Sequence, residues 1–273
     1  MVISGDGQVL FGYGNGPTLR WSKTGALEKL PNFDEQADIP RGASADGAVL
    51  ASFFGLWIRG TGLVDCRCGP DCFSCQGIPT YLNHISSDAL RVLGKTNEVP
   101  RVWNREEDSF RELPGSELAR LSGDGRYAVG TQSNGSAIRW DWAANKVEVL
   151  WPGGAATLAN NDASVVYGFG GVAGAELIRW SAASIEKLPG NWSNLAGCSA
   201  SGDVLVGDLE RVPSLLVRGR AAISIKAALE GANVTLPPGK VAWLGGVSHD
   251  GKVVAGLFED TAGASSIFRA VLP

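Results

Sequence analysis

Ser122-Gly123-Asp124-Gly125, followed at once by Tyr127-Ala128-Val129 and Gly130, is the stretch whose reading decides the fold. An Asp-Gly pair beside a short β-prone run is a strong local signal for a hairpin turn, because glycine adopts the positive φ such turns need. The stretch recurs. Ser4-Gly5-Asp6-Gly7, Ser44-Ala45-Asp46-Gly47, Ser86-Ser87-Asp88-Ala89 and Ser248-His249-Asp250-Gly251 repeat it, and Asn160-Asn161-Asp162-Ala163 and Ser199-Ala200-Ser201-Gly202 are degenerate copies. Six residues beyond the third position stands a glycine: Gly12, Gly94, Gly130, Gly168, Gly207 and Gly256, with Ser52 in the second copy.

Two further markers keep the register. Arg20-Trp21, Arg139-Trp140 and Arg179-Trp180 follow the glycine, with Arg101-Val102-Trp103 close to the same pattern, and Leu30-Pro31, Leu113-Pro114 and Leu188-Pro189 come after them. Four ordered markers at a spacing of roughly forty residues are the signature of a propeller blade of four antiparallel strands. Strand a precedes the serine (Leu118-Ala119-Arg120-Leu121), strand b follows the turn, strand c carries Arg-Trp, and strand d precedes Leu-Pro. The expected fold is therefore all-β: one seven-bladed β-propeller domain over residues 1–273, with repeats starting near 1, 42, 84, 119, 157, 196 and 245 and a short helix near 225–231. A solenoid is the runner-up, but no capping element is evident. The tryptophans are read as packing between sheets, with each preceding arginine lying along the ring or pairing with a turn aspartate. The aspartates themselves are read as closing turns.

Composition narrows the function. Charged residues make up 19%, the net charge is −4, and Lys and Arg are scattered, so nothing forms the basic stripe that nucleic acid requires. No apolar run reaches the roughly 18 residues of a membrane-spanning helix, and no signal peptide stands at Met1. Phosphate-binding, metalloprotease and nucleophile-elbow motifs are missing, so no catalytic residue, metal or cofactor is expected.

Taken together, the Ser-x-Asp-Gly turn, the glycine, Arg-Trp and Leu-Pro resemble the HAF repeat, an extracellular repeat of bacterial proteins. The end of the chain carries the fullest match: Ile225–Leu229, Gly231-Ala232-Asn233, Trp243-Leu244-Gly245-Gly246-Val247-Ser248-His249-Asp250-Gly251 and a terminal strand from Ser266 to Pro273. The resemblance implies a secreted, cell-surface or periplasmic protein whose signal peptide has been removed, and no defined reaction. The chain departs from the pattern twice. The second copy has a cysteine-rich insertion, and the sixth has Leu215-Leu216-Val217-Arg218 in place of the tryptophan. The last copy also ends after strand c. Its outer strand must then come from residues ahead of position 1, as in a trimmed precursor, or the blade has three strands.

Cys66, Cys68, Cys72 and Cys75 are too crowded for an ordinary zinc site, and two local disulfides fit an exported protein better; metal binding and a reduced state are the alternatives. Cys198 reads as a small buried side chain. Neither His84 nor His249 has a partner motif marking it as a base. In a propeller the d–a and b–c loops share the face around the channel mouth. That face would carry Phe33, Asp34, Glu35, the cysteine loop, Tyr81, Asn83, Lys95, Trp151, Trp192 and Trp243. Arg41, His84 and Arg120 come from three consecutive inner strands and are expected to converge on the channel. The candidate binding residues are thus Arg41, His84, Arg120, Tyr81, Trp192 and Trp243. The expected function is a monomeric, non-catalytic binding module for a glycan, peptide or protein. The alternative is an enzyme (lyase, hydrolase or cyclase) acting at the channel mouth with Arg41, His84 and nearby acids.

Overall fold

The computed structural model describes residues 1–13, 17–31, 39–53, 55–65, 79, 81–171 and 176–272. Seven antiparallel sheets follow one another along the chain, over residues 2–29, 40–65, 81–112, 116–151, 154–188, 192–224 and 239–271. Six have four strands in simple meander order, and the seventh has three. Blade 4 shows the pattern: strands Ser116–Leu121, Tyr127–Gln132, Ala137–Asp141 and Lys146–Trp151. First strands pack against first strands of both neighbours, and that of blade 7 meets that of blade 1, so the ring closes. The chain is a seven-bladed β-propeller. All four strands of blade 1 come from residues 2–29, which leaves the last blade with three.

Each Ser-x-Asp-Gly turn folds for a reason written in its side chains. Ser122 Oγ donates to Asp124 Oδ1 (2.6 Å) and accepts from the Tyr127 amide (3.0 Å), while Asp124 Oδ1 accepts from the Arg126 amide (3.0 Å). The same three bonds recur at Ser4, Ser44, Ser86 and Ser248. In the degenerate copies Asn160 Oδ1 and Ser199 Oγ take the serine's place as acceptors for the strand-b amide. All seven of these residues are buried, so the cage satisfies an amide that water cannot reach.

The x position of the motif closes the ring. The Asp6 amide donates to the Ala45 carbonyl, Ala45 to Ser87, Ser87 to Gly123, Asp124 to Asn161, Asn161 to Ala200, Ala200 to His249 and His249 to Gly5, all between 2.7 and 3.1 Å. Seven consecutive turns are thereby stitched into a backbone circle at one end of the channel.

Apolar clusters fill the gaps between blades, and the strand-c tryptophan of one blade packs on the blade before it. Trp57 meets Phe11 edge-on (ring centroids 6.1 Å apart), Trp103 joins Val49 and Leu56, Trp140 joins Leu93 and Val102, and Trp180 joins Val129. Trp57 is a strand-c tryptophan outside the Arg-Trp marker. It stands opposite Leu50, in the register that Trp140 takes opposite Ala128, but its b–c connection is shorter and no arginine precedes it. Where the tryptophan is missing, something else supplies the bulk. Leu216 of blade 6 packs near Tyr167, a buried side chain of blade 5 whose hydroxyl donates to the Gly202 carbonyl (2.6 Å). Ala270 of blade 7 packs in a cluster with Ile225, Ala228 and Leu229 from the helix Ile225–Gly231. That helix, expected from sequence, starts at Ser224, whose side chain accepts from the Ala227 amide.

The strand-c arginines correct one expectation. They pair with a glutamate on strand d directly opposite rather than with a turn aspartate: Arg20–Glu28 (3.4 Å), Arg101–Glu112, Arg139–Glu148 and Arg179–Glu186 (4.0 Å). Two of them also lie over the next blade's tryptophan, Arg20 over Trp57 (6.0 Å) and Arg139 over Trp180 (4.8 Å). The glutamate carries the charge balance because it faces the arginine across a strand pair, whereas the turn aspartate is already committed to serine and backbone.

Candidate functional site

The inner strands do not run straight. In blades 2 to 7 strand a carries an irregularity in its pairing with strand b, between Pro40 and Gly42, Leu82 and His84, Leu118 and Arg120, and at the matching points of blades 5, 6 and 7. Such bulges bend a strand and re-aim the side chains beside them. Beyond the bulges, one level of the channel wall is formed by Val2, Gly42, His84, Arg120, Leu158, Gly197 and Gly246, each opposite the equivalent residue of strand b. Three glycines at this level let neighbouring inner strands approach closely: a Cβ on Gly42 would stand 3.1 Å from the Ile85 amide nitrogen, and one on Gly246 3.1 Å from Ile3 Cγ2.

These residues line a cavity of about 110 Å³ together with Arg41 and Cys198. Its floor is the backbone circle of turns, narrowed by the His249 imidazole, whose Nε2 lies 3.3 Å from Ser87 Oγ across the ring. A Cβ on Gly5 would stand 2.4 Å from His249 Cε1, so only glycine leaves the imidazole its place. The a–b turns thus form a nearly closed end, and the mouth lies on the side of the d–a and b–c loops. Arg41 sits in the bulge of blade 2, one residue nearer the mouth than the level of His84 and Arg120. It lies over Phe53 (5.0 Å), which is packed 4.9 Å from the ring of Tyr81. Tyr81 is 38% exposed, so the rim offers an arginine and a tyrosine to solvent, with the half-buried Phe53 packed between them.

Charge in the channel is one-sided. Among the described residues, the cavity wall holds Arg41, Arg120, His84 and His249 and no aspartate or glutamate. Arg120 is surrounded by protein, though water reaches it through the lumen, and burial lowers its pKa. Its one hydrogen bond among the described residues goes to the Ala196 carbonyl across the channel (3.4 Å). Burial, reinforced by the Arg120 charge, pushes His84 down to about 3, so the imidazole is neutral, and its buried Nδ1 has no partner. Burial lowers His249 as well. Cys198 donates to the Ala159 carbonyl (3.4 Å), and burial pushes its thiol up to about 12. It lines the channel as a protonated group.

Not every expected site residue reaches the rim. Trp192 is 3% exposed, packs among Leu158, Tyr167 and Leu205, and donates its indole N–H to Pro189 (3.0 Å). Trp151 is buried in the same manner between blades 4 and 5, its indole donating to Phe169. A tryptophan at the end of a strand is drawn into the gap between sheets because burial of its ring outweighs exposure at the loop. Trp243 is half-buried on the inner strand of blade 7, and Lys95 is engaged by Glu98 and Glu117. Phe33, Asp34, Glu35 and Cys66, Cys68, Cys72 and Cys75 lie outside the described residues. No group of metal-ligating side chains occurs among the described residues, and no helix among them is long and apolar enough to cross a membrane.

Acid stability follows from these pKa values. The unfolded chain binds a proton at His84 and His249 near pH 6.5, and the folded chain resists it, so stability falls as pH drops below about 6.5. Asp250, Asp46 and Asp162 add a second phase. Hydrogen bonds from Ser248, from the Ala48 amide and from Ser164 hold these carboxyls below the ordinary range, so their contribution is lost as pH falls through about 4. Denaturation midpoints measured from pH 8 to 3 should decline in both phases, with His84→Gln flattening the first. A midpoint constant down to pH 4 would refute the histidine assignment.

The fold and channel define a β-propeller with a blind, cationic lumen. Among solved structures the chain is similar to U3-55K (TM-score 0.66, 13% identity, covering 99% of this chain and 94% of that one). It is also similar to the RRP9 WD40 repeats (0.65, 13%, 100% and 93%) and to the β-propeller domain of Myceliophteria thermophila Cps50 (Swd1) (0.63, 12%, 98% and 94%). No protein-family model and no curated protein matches the chain in sequence. At these identities the likeness is one of fold.

Proposed function

We propose that this protein is a non-catalytic binding propeller that holds a glycan, peptide or protein at the mouth of its channel. The observation that carries the reading is the rim: Arg41 over Phe53, Phe53 against the exposed Tyr81, and the cavity directly below. Arginine and tyrosine are among the side chains most often found to dominate binding energy at interfaces. The WD40 likeness supports an interaction module in general terms. Export from a bacterial cell, and kinship with HAF-repeat proteins, rest on the four ordered sequence markers. The enzyme reading draws less support, because a neutral His84 beside Arg120 has no carboxylate partner among the described channel residues to make it a base.

Arrays of bacterial surface glycans and of peptides test the proposal. At least one binder should lose about tenfold or more in affinity with Tyr81→Ala and with Arg41→Gln, and none with Val149→Ser on the exposed outer strand of blade 4. Binders indifferent to both rim changes, or chemical turnover of a bound molecule, would overturn it.

A further inference from the structure

We propose that the channel is a binding site for a small oxyanion group, a carboxylate, phosphate or sulfate, held between Arg120, Arg41 and His84. The inference deepens the binding-module reading by naming the chemistry of what enters the lumen.

Its first support is an unbalanced charge. The protein is acidic overall, with 28 Asp and Glu against 24 Lys and Arg. The four arginines of the repeat's Arg-Trp marker, Arg20, Arg101, Arg139 and Arg179, each face a glutamate. Arg120 differs. It projects from strand a into the lumen, and no carboxylate among the described residues lines the cavity around it. An arginine enclosed by protein without a counter-ion is costly, so its persistence calls for an anion supplied from outside. A guanidinium has five N–H donors in a planar fork suited to two oxygens of one anion. One of Arg120's donors reaches Ala196, and no other hydrogen bond of its guanidinium occurs among the described residues of the cavity it lines.

The second support is independent of charge. His84 lines the cavity on the same level as Arg120, and its ring makes no hydrogen bond among the described residues; Nδ1 is enclosed by protein, so the rest of the ring is what meets the lumen. Polar side chains enclosed by protein are nearly always satisfied, and an imidazole left without a partner on a cavity wall marks a place for a polar ligand. As a neutral imidazole it can present an N–H to an oxyanion without demanding a second proton.

The third support is shape. The cavity is closed at the turn end by the backbone circle and His249 and measures about 110 Å³, room for several waters or one compact anionic group. A larger ligand would insert an acidic terminus or substituent and leave its remainder at the Arg41–Phe53–Tyr81 rim.

Isothermal titration of the full chain with sodium phosphate, sulfate and acetate, at ionic strength fixed with sodium chloride, tests the site. Saturable one-to-one binding of at least one of these anions is expected, weakened about tenfold or more by Arg120→Gln and by Arg41→Gln, the range expected for loss of a charged hydrogen bond. Which anion binds tighter separates phosphate, sulfate and carboxylate as the group recognised. The His84 imidazole resonances should shift with saturation in the wild type, and this readout also serves if Arg120→Gln folds poorly, because Arg41 is exposed and its variant keeps the fold. Heats identical in wild type and both variants, or no saturable binding of any of the three anions, would refute the proposal. That failure would leave the binding-module reading standing if array binders still depend on Tyr81. The loss of those binders with anion binding intact would mean the reverse.

Discussion

Trp140→Ala lowers the unfolding free energy by about 3–5 kcal/mol, the range for deleting a large aromatic side chain from a packed interior. Trp140 is fully buried in the gap between blades 3 and 4, among Leu93, Val102, Leu118 and Trp142, and its indole N–H donates to Asn145 (3.3 Å). Removing it opens a cavity between two sheets whose backbones are held in place by their own ladders and by the circle of turns, so collapse is limited. The same change at Trp21 costs less, because that ring is only half-buried in blade 1. Urea denaturation of the two variants side by side checks both magnitude and order. Equal losses would mean that the strand-c tryptophans contribute through something other than inter-blade burial.

Gly130→Ala costs about 1–3 kcal/mol, the usual range for overpacking, and lies at the upper end of it. A Cβ at Gly130 would sit 2.0 Å from the Glu117 carbonyl oxygen and 2.7 Å from Leu118 Cα. Both are backbone atoms of the bulged inner strand and cannot swing aside. Gly94, Gly168 and Gly256 are placed in the same way, against the carbonyls of Tyr81, Ala155 and Trp243. Gly12 occupies the matching sequence position yet meets nothing nearer than the end of Ile267, at 3.4 Å. Strand a of blade 1 pairs only through Val2 and Ile3 and does not reach it. Gly12→Ala should therefore change stability by no more than about 0.5 kcal/mol. Thermal midpoints of the two variants decide the matter. A matching drop in both would assign the glycine marker to chain flexibility instead of to the bulge.

The contrast shows what sequence could and could not reveal. The Ser-x-Asp-Gly repeat announced blades, turns and strand b, because each of those is fixed by residues close in the chain. Convergence of Arg41, His84 and Arg120 on one cavity was also legible, since strands of successive copies align. Their depth was not. A bulge inserts a residue without altering the repeat, so Gly42 and not Arg41 shares a level with His84 and Arg120. The glycine six residues after the motif's third position was the trace of that bulge. Trp57 escaped because one loop is short, and Trp192 was assigned to the rim although a blade gap claimed it. The unpaired Nδ1 of His84, the closing role of His249 and the glutamates facing the strand-c arginines depend on neighbours that only the folded ring provides.

The junction of blades 7 and 1 is fastened differently from the other six. Six apolar clusters among the described residues join successive blades, from blade 1 to blade 7. None of them bridges the last blade to the first. There the His249 amide binds the Gly5 carbonyl, and Arg269 Nε reaches the Gly7 carbonyl at 2.7 Å across 262 positions of sequence. Joining such distant points costs little more than closing one blade, about 0.6 kcal/mol for each doubling of loop length. The entropy is modest, and Ile3 beside Gly246 and Ile267 beside Gly12 add apolar contact at the same seam. Energetically the molecule is a row of units coupled to nearest neighbours, bent until its ends touch. Parting those ends would open the lumen lengthwise down to His84 and Arg120, and the His249–Gly5 and Arg269–Gly7 bonds are the clasp that keeps it shut.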